Sequence, residues 1–336
     1  MKMVRYQMHN ENTHTYEKFI ASGEYGKIMS MRQRMPDIDD LDLPEWLIEG
    51  AKKLMKHPLF DAALCAQAEA VTSIFESTFA LVKVISEEAR YVISAALIAM
   101  HSSRDPFDPA SGATVTRLQQ FAEYHGLAGS NRVAAIIALM RHLGYVQQVQ
   151  ARSDRRIRRL EPTDHGLSVA RRMTSAALTS IQLFSEGRDY QELIRSDENF
   201  MGRFFAESLR HYNNGARITY AMPEFNLFGQ QNGGREVMFK LWLALAERGP
   251  REPMVVSCPY GELARSLGVS RGHVRRMIEK GEERGLFRVR AAGGQAIEIL
   301  PDFIYLHRTF TALEYALMLP GAEYAASTTG RPQLSF

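Results

Sequence analysis

Two stretches of this chain carry the same series of local signals at almost the same spacing. Gly268 follows Gly126 by 142 positions, and Gly285 follows Gly144 by 141. The first glycine of each unit separates two segments with apolar residues at helical spacing, and the second precedes residues of alternating character. Glycine readily takes the positive φ that sharp turns and helix ends require. The spacing therefore predicts a duplicated unit of helix, turn, helix and β-hairpin.

The second unit has the clearer helix-turn-helix pattern, over residues 260–278. Ala264 is small where two helices would cross closely, and Ser270 is a natural N-cap for the helix after Gly268. Apolar residues at helical spacing would fill the space between the two helices, so the polar residues of the second helix face outward. A helix in this position presents side chains to the major groove of DNA. The candidate DNA contacts are Ser270, Arg271, His273, Arg275 and Arg276.

A hairpin is predicted after each pair of helices. In the second unit, residues 286–290 and 295–300 read as strands, and Gly293-Gly294 mark the turn. In the first unit, residues 145–150 precede a basic stretch at 152–160. Guanidinium groups stay charged at any cellular pH and bind phosphate oxygens or guanine edges in a fork. The candidate DNA contacts of this hairpin are Arg152, Arg155, Arg156 and Arg158.

The pair of helices in the first unit gives a weaker signal for base recognition. Residues 115–124 predict its first helix, and Ser130 is expected to cap a second helix over 131–142. Most outward positions of that second helix are alanines, which contact thymine methyl groups but carry little sequence information. The candidate contacts are Ser130, Asn131 and Arg132. We expect the first unit to depend mainly on its hairpin and the second on its helix.

Residues Gly144 to Gly166 resemble the wing of MarR-type winged-helix regulators, because an Asp-Arg-Arg hairpin tip precedes a strand and a Thr-x-x-Gly helix start. The resemblance covers roughly residues 86–173, and the second unit shows a weaker resemblance. It implies that Arg155 or Arg156 enters the minor groove and that Asp154 positions it. The chain departs from that family because it holds two units, and because the turn before Ser130 carries an extra residue.

The predicted fold class is mainly α with short β-hairpin wings, an α+β architecture of tandem winged helix-turn-helix domains with flanking dimerisation helices. Apolar spacing predicts one long helix from Phe60 to about Val82. The predicted organisation is an N-terminal arm at 1–59, a first winged-helix domain at 60–185, a helical linker at 186–233, a second winged-helix domain at 234–320 and a flexible tail at 321–336.

Composition excludes several other classes. The net charge of +3 and the pI near 8.8 are only mildly basic, so a nucleic-acid partner must be argued from local clusters. Cys65 and Cys258 match neither a zinc spacing nor a disulfide framework. His9 and His14 are not part of a cysteine- or carboxylate-containing motif that would complete a metal site. No motif combines a catalytic nucleophile with its general base. We expect no enzyme activity, no cofactor, no metal, no secretion signal and no membrane span.

These patterns lead to one hypothesis with two alternatives. The sequence favours a cytoplasmic regulator at the bacterial nucleoid that binds double-stranded DNA as a homodimer, with or without a small-molecule effector. Methionine-rich and aromatic segments at 200–205 and 220–228 are candidates for lining an effector pocket. The alternatives are a plasmid- or phage-type replication initiator and a winged-helix interaction subunit of a chromosome-segregation complex. An arginine-rich hairpin favours DNA over a protein partner.

Overall fold

The computed structural model describes residues 28–105, 107–108, 111–150, 156–185, 187–249 and 253–332. The described chain is mainly α-helical with two small antiparallel sheets, which confirms the predicted class at that level. The α-helices of seven or more residues are α1 (Glu45–Met55), α2 (Phe60–Ser77), α3 (Phe79–Ile85), α4 (Glu88–Ser102), α5 (Val115–Tyr124), α6 (Ser130–His142), α7 (Asp164–Ile181), α8 (Tyr190–Ser196), α9 (Phe200–Asn213), α10 (Gly234–Arg248), α11 (Tyr260–Leu267), α12 (Arg271–Glu283) and α13 (Pro301–Ser327).

The two sheets follow the two helical pairs. Strands β1 (Val146–Gln150) and β2 (Arg158–Pro162) form an antiparallel hairpin in which Val146 lies opposite Pro162. The other sheet has the order β3 (Val255–Val256), β5 (Ala296–Ile299) and β4 (Phe287–Ala291), again antiparallel. We call 115–162 the first unit and 255–299 the second unit. Each contains two helices, α5 and α6 or α11 and α12, followed by a hairpin.

Helix α13 is the central helix of the fold. Proline at its first position pre-sets the backbone angle of a helix start, and all residues from Asp302 to Leu313 are buried. A helix that is enclosed on every side lies inside a core rather than at a surface. Helix α13 packs along α1 and α9, while α2 packs against α7 and α10. The flanking helices predicted to join two chains therefore bury much of their apolar surface within one chain.

The buried apolar side chains form one continuous cluster from Ile28 to Ala325, and both units contribute to it. The predicted linker at 186–233 holds α8 and α9, and α9 buries one face against α4 and α13. The predicted arm at 1–59 contains α1, in which Leu47 and Ala51 are completely buried. The two units are thus fixed to a common core by packing along several helices.

The long helix predicted from Phe60 to Val82 was wrong in its extent. Helix α2 ends at Ser77, and Thr78 takes a non-helical backbone conformation (φ −146°, ψ 69°) before α3 begins. The Ser77 hydroxyl donates a hydrogen bond of 2.9 Å to the carbonyl oxygen of Ile74. Such local hydrogen bonds compete with the backbone bonds that would continue the helix.

The flexible tail predicted from residue 321 was also wrong for its first part, because α13 continues to Ser327. Ala322 and Ala325 are fully buried. A Cβ at Gly321 would lie 3.0 Å from the Ser208 hydroxyl on α9. The small residues there allow two helices to approach closely. None of the described helices combines the length and the apolar character that crossing a bilayer requires.

A buried histidine gives this core a defined pH response. His307 on α13 is fully buried among Phe239, Trp242 and Phe303, and neither ring nitrogen has a hydrogen-bond partner within the described structure. Burial, with a smaller contribution from the charge of Arg235, lowers the pKa of His307 to about 3. In the unfolded chain a histidine titrates near 6.5. Between these values only the unfolded state binds the proton, so stability falls as the pH falls.

We expect His307 to reduce the free energy of unfolding by about 2 kcal/mol when the pH drops from 7 to 5, since each pH unit in this window costs roughly 1.4 kcal/mol. Denaturant unfolding of the wild type and of His307→Leu at both pH values measures this contribution. The variant should lose about 2 kcal/mol less than the wild type over the same interval. His142→Ala, at an exposed site, is the control. Equal losses in the wild type and His307→Leu would contradict the assignment.

Candidate nucleic-acid interface

The two units share the same backbone geometry at the predicted repeat positions. Gly126 and Gly268 have φ values of 64° and 62°, and Gly144 and Gly285 have 74° and 76°. The amide after the first glycine bonds five residues back in both units: Leu127 to Ala122 at 2.8 Å, and Val269 to Ala264 at 3.0 Å. These local turns therefore repeat in dihedral angle and in hydrogen bonding.

The residue just before each hairpin also forms the same hydrogen bond to the preceding helix in both units. The amide of Tyr145 bonds to the Met140 carbonyl, and the amide of Leu286 bonds to the Gly281 carbonyl, both at 2.9 Å. Helices α6 and α12 each have thirteen residues. The duplicated order of helix, turn, helix and hairpin is thus present in the structure.

Helix α12 has an exposed basic face on its first two turns. Ser270 caps the helix by accepting a hydrogen bond of 3.1 Å from the His273 amide, as predicted from its position. Arg271, Arg275 and Arg276 are exposed, and Arg275 forms an i,i+4 ion pair of 3.5 Å with Glu279. Such an exposed pair is weak and leaves the guanidinium accessible to another anion. His273 is half-buried and turns toward the rest of the protein.

Helix α6 begins one residue earlier than predicted. Gly129 is its N-cap, and Ser130 is the first helical residue, so the prediction that Ser130 caps the helix was wrong. The Gly129 carbonyl accepts hydrogen bonds from Arg132 and Val133, and Ser130 is exposed. Asn131 is also exposed. The outward face of α6 continues with three alanines, which agrees with a helix that reads little sequence.

A chain of polar contacts connects the amino ends of α6 and α12. Arg132 of α6 pairs with Glu87, which also pairs with Arg90 at 3.3 Å. Arg90 donates to the Asn232 side-chain oxygen at 3.0 Å, and His273 of α12 lies 2.9 Å from the Asn232 carbonyl oxygen. The amino ends of both helices therefore lie on the same side of the protein.

The two hairpins differ in electrostatics. In the first unit, Arg158 of β2 lies opposite Gln150, and Arg158 is exposed. In the second unit, Arg288 lies opposite Glu298, whose carboxylate accepts from Arg288 at 3.3 Å and from Arg290 at 2.7 Å. The first hairpin thus offers an arginine with an uncharged cross-strand neighbour, whereas a carboxylate offsets the arginines of the second.

The first hairpin is anchored at both edges. Arg104, after α4, donates to Glu161 of β2 at 2.9 Å. Thr163 caps α7 by accepting from the Gly166 amide at 3.0 Å, and its hydroxyl donates to the Gly144 carbonyl at 2.6 Å. The Thr-x-x-Gly helix start therefore ties α7 to the beginning of the hairpin.

The structure describes only part of the predicted basic tip. Arg156 and Arg158 are exposed at the end of the hairpin where the chain passes from β1 to β2, whereas Arg152, Asp154 and Arg155 lie outside the described residues. His9 and His14 lie outside them as well. Within the described ranges, no group of three or more histidine, cysteine or carboxylate side chains has the arrangement of a metal site.

Glu87 and Asn232 were not predicted from the sequence. Each is an isolated polar residue without a motif around it, and each gains its role from neighbours more than forty positions away. No signal in the sequence identifies such partners. Comparisons with protein-family models, with curated proteins and with solved structures find no match for this chain.

The anchoring of the first hairpin makes a testable prediction about Gly166. A Cβ at this position would lie 2.1 Å from the Tyr145 carbonyl oxygen, so the backbone must shift. We expect Gly166→Ala to lower the free energy of unfolding by about 1–3 kcal/mol. Urea denaturation measures this loss.

Gly261→Ala is the matched control for Gly166→Ala. Gly261 also lies in the first turn of a helix, and a Cβ there has no neighbour within 4 Å. Alanine favours a helix over glycine by up to about 1 kcal/mol, so this variant should be unchanged or more stable. A similar loss in both variants would contradict the close contact between α7 and the hairpin.

Proposed function

We propose that this chain is a sequence-specific regulator that binds double-stranded DNA through two winged-helix modules, the first unit and the second unit. The observation that carries the proposal is the duplicated turn geometry, with an exposed helix face in each copy and a basic hairpin in the first. In winged-helix proteins of this kind the second helix enters the major groove and the hairpin reaches the neighbouring backbone or minor groove.

The proposed division of work follows from the exposed side chains. Helix α12 carries Arg271, Arg275 and Arg276, which suit hydrogen bonds to guanine edges. The first hairpin carries Arg156 and Arg158, which suit phosphates or the minor groove. We propose that α12 supplies most of the sequence specificity and that the first hairpin supplies sequence-independent affinity. We also propose that the first unit is a MarR-like winged helix.

The shared core supports simultaneous binding of both modules. Packing joins the two units into one body, and the contacts through Asn232 hold the amino ends of α6 and α12 on one side. One copy of the chain is therefore sufficient to bind two half-sites, and the predicted homodimer would extend the operator to four. Repression, activation and replication initiation differ in where the bound site lies in a genome, which selection of genomic DNA distinguishes.

Selection of bound DNA from a random pool tests the proposal. We expect the wild type to enrich one motif and to bind it with a steep salt dependence, because arginines that neutralise phosphates release counterions. Arg271→Ala/Arg275→Ala should change the preferred bases, at about 1–3 kcal/mol for each arginine that binds a base. Arg156→Ala/Arg158→Ala should weaken binding to all sequences and reduce the salt slope by about one for each arginine that binds a phosphate.

Arg188→Ala/Arg195→Ala is the control for these two variants, because it removes the same charge from exposed positions around α8. It should keep the wild-type motif and nearly the wild-type affinity. A wild type that enriches no motif and binds without salt dependence contradicts the proposed function. Identical losses in all three double variants would contradict the assigned interface and indicate a general effect of net charge.

Rigid packing of the two modules also predicts a fixed spacing between half-sites. Inserting two base pairs between the half-sites turns one against the other by about 70°, given roughly 10.5 base pairs per turn. We expect this insertion to lower affinity about as much as scrambling one half-site. The same insertion outside the half-sites is the control. Unchanged affinity after the central insertion would show that the modules bind independently of one another.

A further inference from the structure

A cavity of about 280 Å³ lies in the core beside the first unit, lined mainly by α4, α7, α9 and α13, with further residues from α2, α3 and the start of α10. Its walls are largely apolar. Tyr91 of α4 lines this space, and 43% of its surface is accessible. The volume is close to the lower end of small-molecule binding sites, about 300 Å³. The apolar lining includes Val71, Phe75, Val92, Leu209, Phe310 and Leu317.

The polar lining of this cavity has more carboxyl groups than permanent cations. It contains the carboxyl groups of Glu88, Glu236 and Glu314 and, among the described lining residues, only the guanidinium of Arg235 as a permanent cation. Arg235 pairs with Glu314. The other two carboxyl groups form no ion pair in the described wall, although the charge of Arg235 acts on Glu236, and Glu88 has a hydrogen bond to Thr219.

Two oxygens in the wall have no hydrogen-bond partner within the described structure. Glu236 is 1% exposed and its Oε2 atom is unpaired, while Gln67 is 2% exposed and its Oε1 atom is unpaired. Both residues line the cavity. A buried polar oxygen without a partner destabilises the protein, and a buried carboxylate does so more strongly. A ligand that donates hydrogen bonds or carries positive charge would offset this cost.

The pKa shifts agree with this environment. Burial raises the pKa of Glu88 and of Glu314, and it raises the pKa of Glu236 to about 7. Near neutral pH, Glu236 is thus protonated in part of the molecules and ionised in the rest. A cation in the cavity favours the carboxylate, so the ligand and the ionised side chain stabilise each other.

We propose that this cavity binds an organic ammonium ion whose positive group pairs with Glu236 and whose aromatic or aliphatic body lies against the apolar wall. Glu88 adds negative potential, and Gln67 accepts a further hydrogen bond from the ligand. An anion of the same shape is repelled, and a neutral ligand gains only the apolar contact.

The cavity is joined to the proposed DNA interface through one short segment. Glu88 follows Glu87, whose carboxylate pairs with Arg132 of α6 and with Arg90. The amide of Gly233 donates to the Ser86 hydroxyl at 3.2 Å, which ties this segment to the start of α10. We infer that the ammonium ligand regulates DNA binding by shifting residues 86–90. This regulatory part rests on the proposed function, whereas ligand binding itself does not.

Calorimetry with matched probes tests the binding site in the full-length protein. Tryptamine, tryptophol and indole-3-propionate share an indole body and differ in charge. We expect tryptamine to bind with one site per chain, tryptophol about tenfold more weakly and indole-3-propionate not at all. Phenethylamine and 2-(1-naphthyl)ethylamine vary the size of the aromatic group. Each is compared with the alcohol in which a hydroxyl replaces the ammonium group. The inference is overturned if no ammonium probe binds more tightly than its alcohol.

Two variants locate the site, and one serves as a control. Glu236→Gln and Glu88→Gln should each lower the affinity for tryptamine several-fold, with the larger loss for Glu236→Gln. The affinity for tryptophol should not change. Glu123→Gln removes an exposed carboxyl from α5 and should leave binding unchanged. Equal binding in all variants would overturn the assignment of the cavity. Circular dichroism checks that each variant is folded, and Glu88→Gln keeps the test decisive if Glu236→Gln does not fold.

A DNA-binding assay with and without tryptamine separates the two proposals. A protein that binds tryptamine but enriches no DNA keeps the cavity site and loses the proposed function. A protein that enriches a DNA motif but binds no ammonium probe keeps the function and loses the cavity site. If both ligands bind, a change in DNA affinity with tryptamine in the wild type, absent in Glu236→Gln, supports the coupling. Unchanged DNA affinity overturns the regulatory part.

Discussion

The enclosure of α13 is the constraint on which the rest of this structure depends. From Asp302 to Leu313 this helix meets protein on all sides, so its polar side chains need partners inside the core. Asp302 accepts hydrogen bonds of 3.1 Å from the amides of Gln33 and Arg34, and Arg308 pairs with Asp61. The same helix follows directly after the hairpin of the second unit. Its position therefore fixes the N-terminal segment, α2 and the second unit relative to one another.

The local geometry of both units could be predicted from the sequence because it depends on residues close together in the chain. Gly126 and Gly268 take the positive φ of the turn, and Ser270 caps the helix that begins next to it. At Ser130 the same reasoning failed by one position, since Gly129 is the cap. The class of secondary structure and the order of helix, turn, helix and hairpin follow from such short-range signals.

The arrangement of the units relative to each other could not be predicted, because it depends on contacts between distant residues. The sequence predicts Arg132 as an outward DNA contact, and in the structure it pairs with Glu87. The same prediction is made for His273, which bonds to Asn232. The small residues near the C-terminus suggest flexibility, although they reflect the close approach of α13 to α9. Composition alone does not distinguish a loose segment from a tightly packed one.

The ion pair between Glu87 and Arg132 has a consequence for how selective the proposed DNA complex is. In the proposed complex, Glu87 would compete with a DNA phosphate for part of the half-exposed Arg132 guanidinium. For Arg132 to turn fully toward a phosphate it would have to leave this carboxylate, and that exchange would have a cost at every site on DNA. Sequences with few other contacts do not compensate for it, whereas a full operator does. If the proposed function holds, a single carboxylate would thereby discourage residence on non-specific DNA without touching a base.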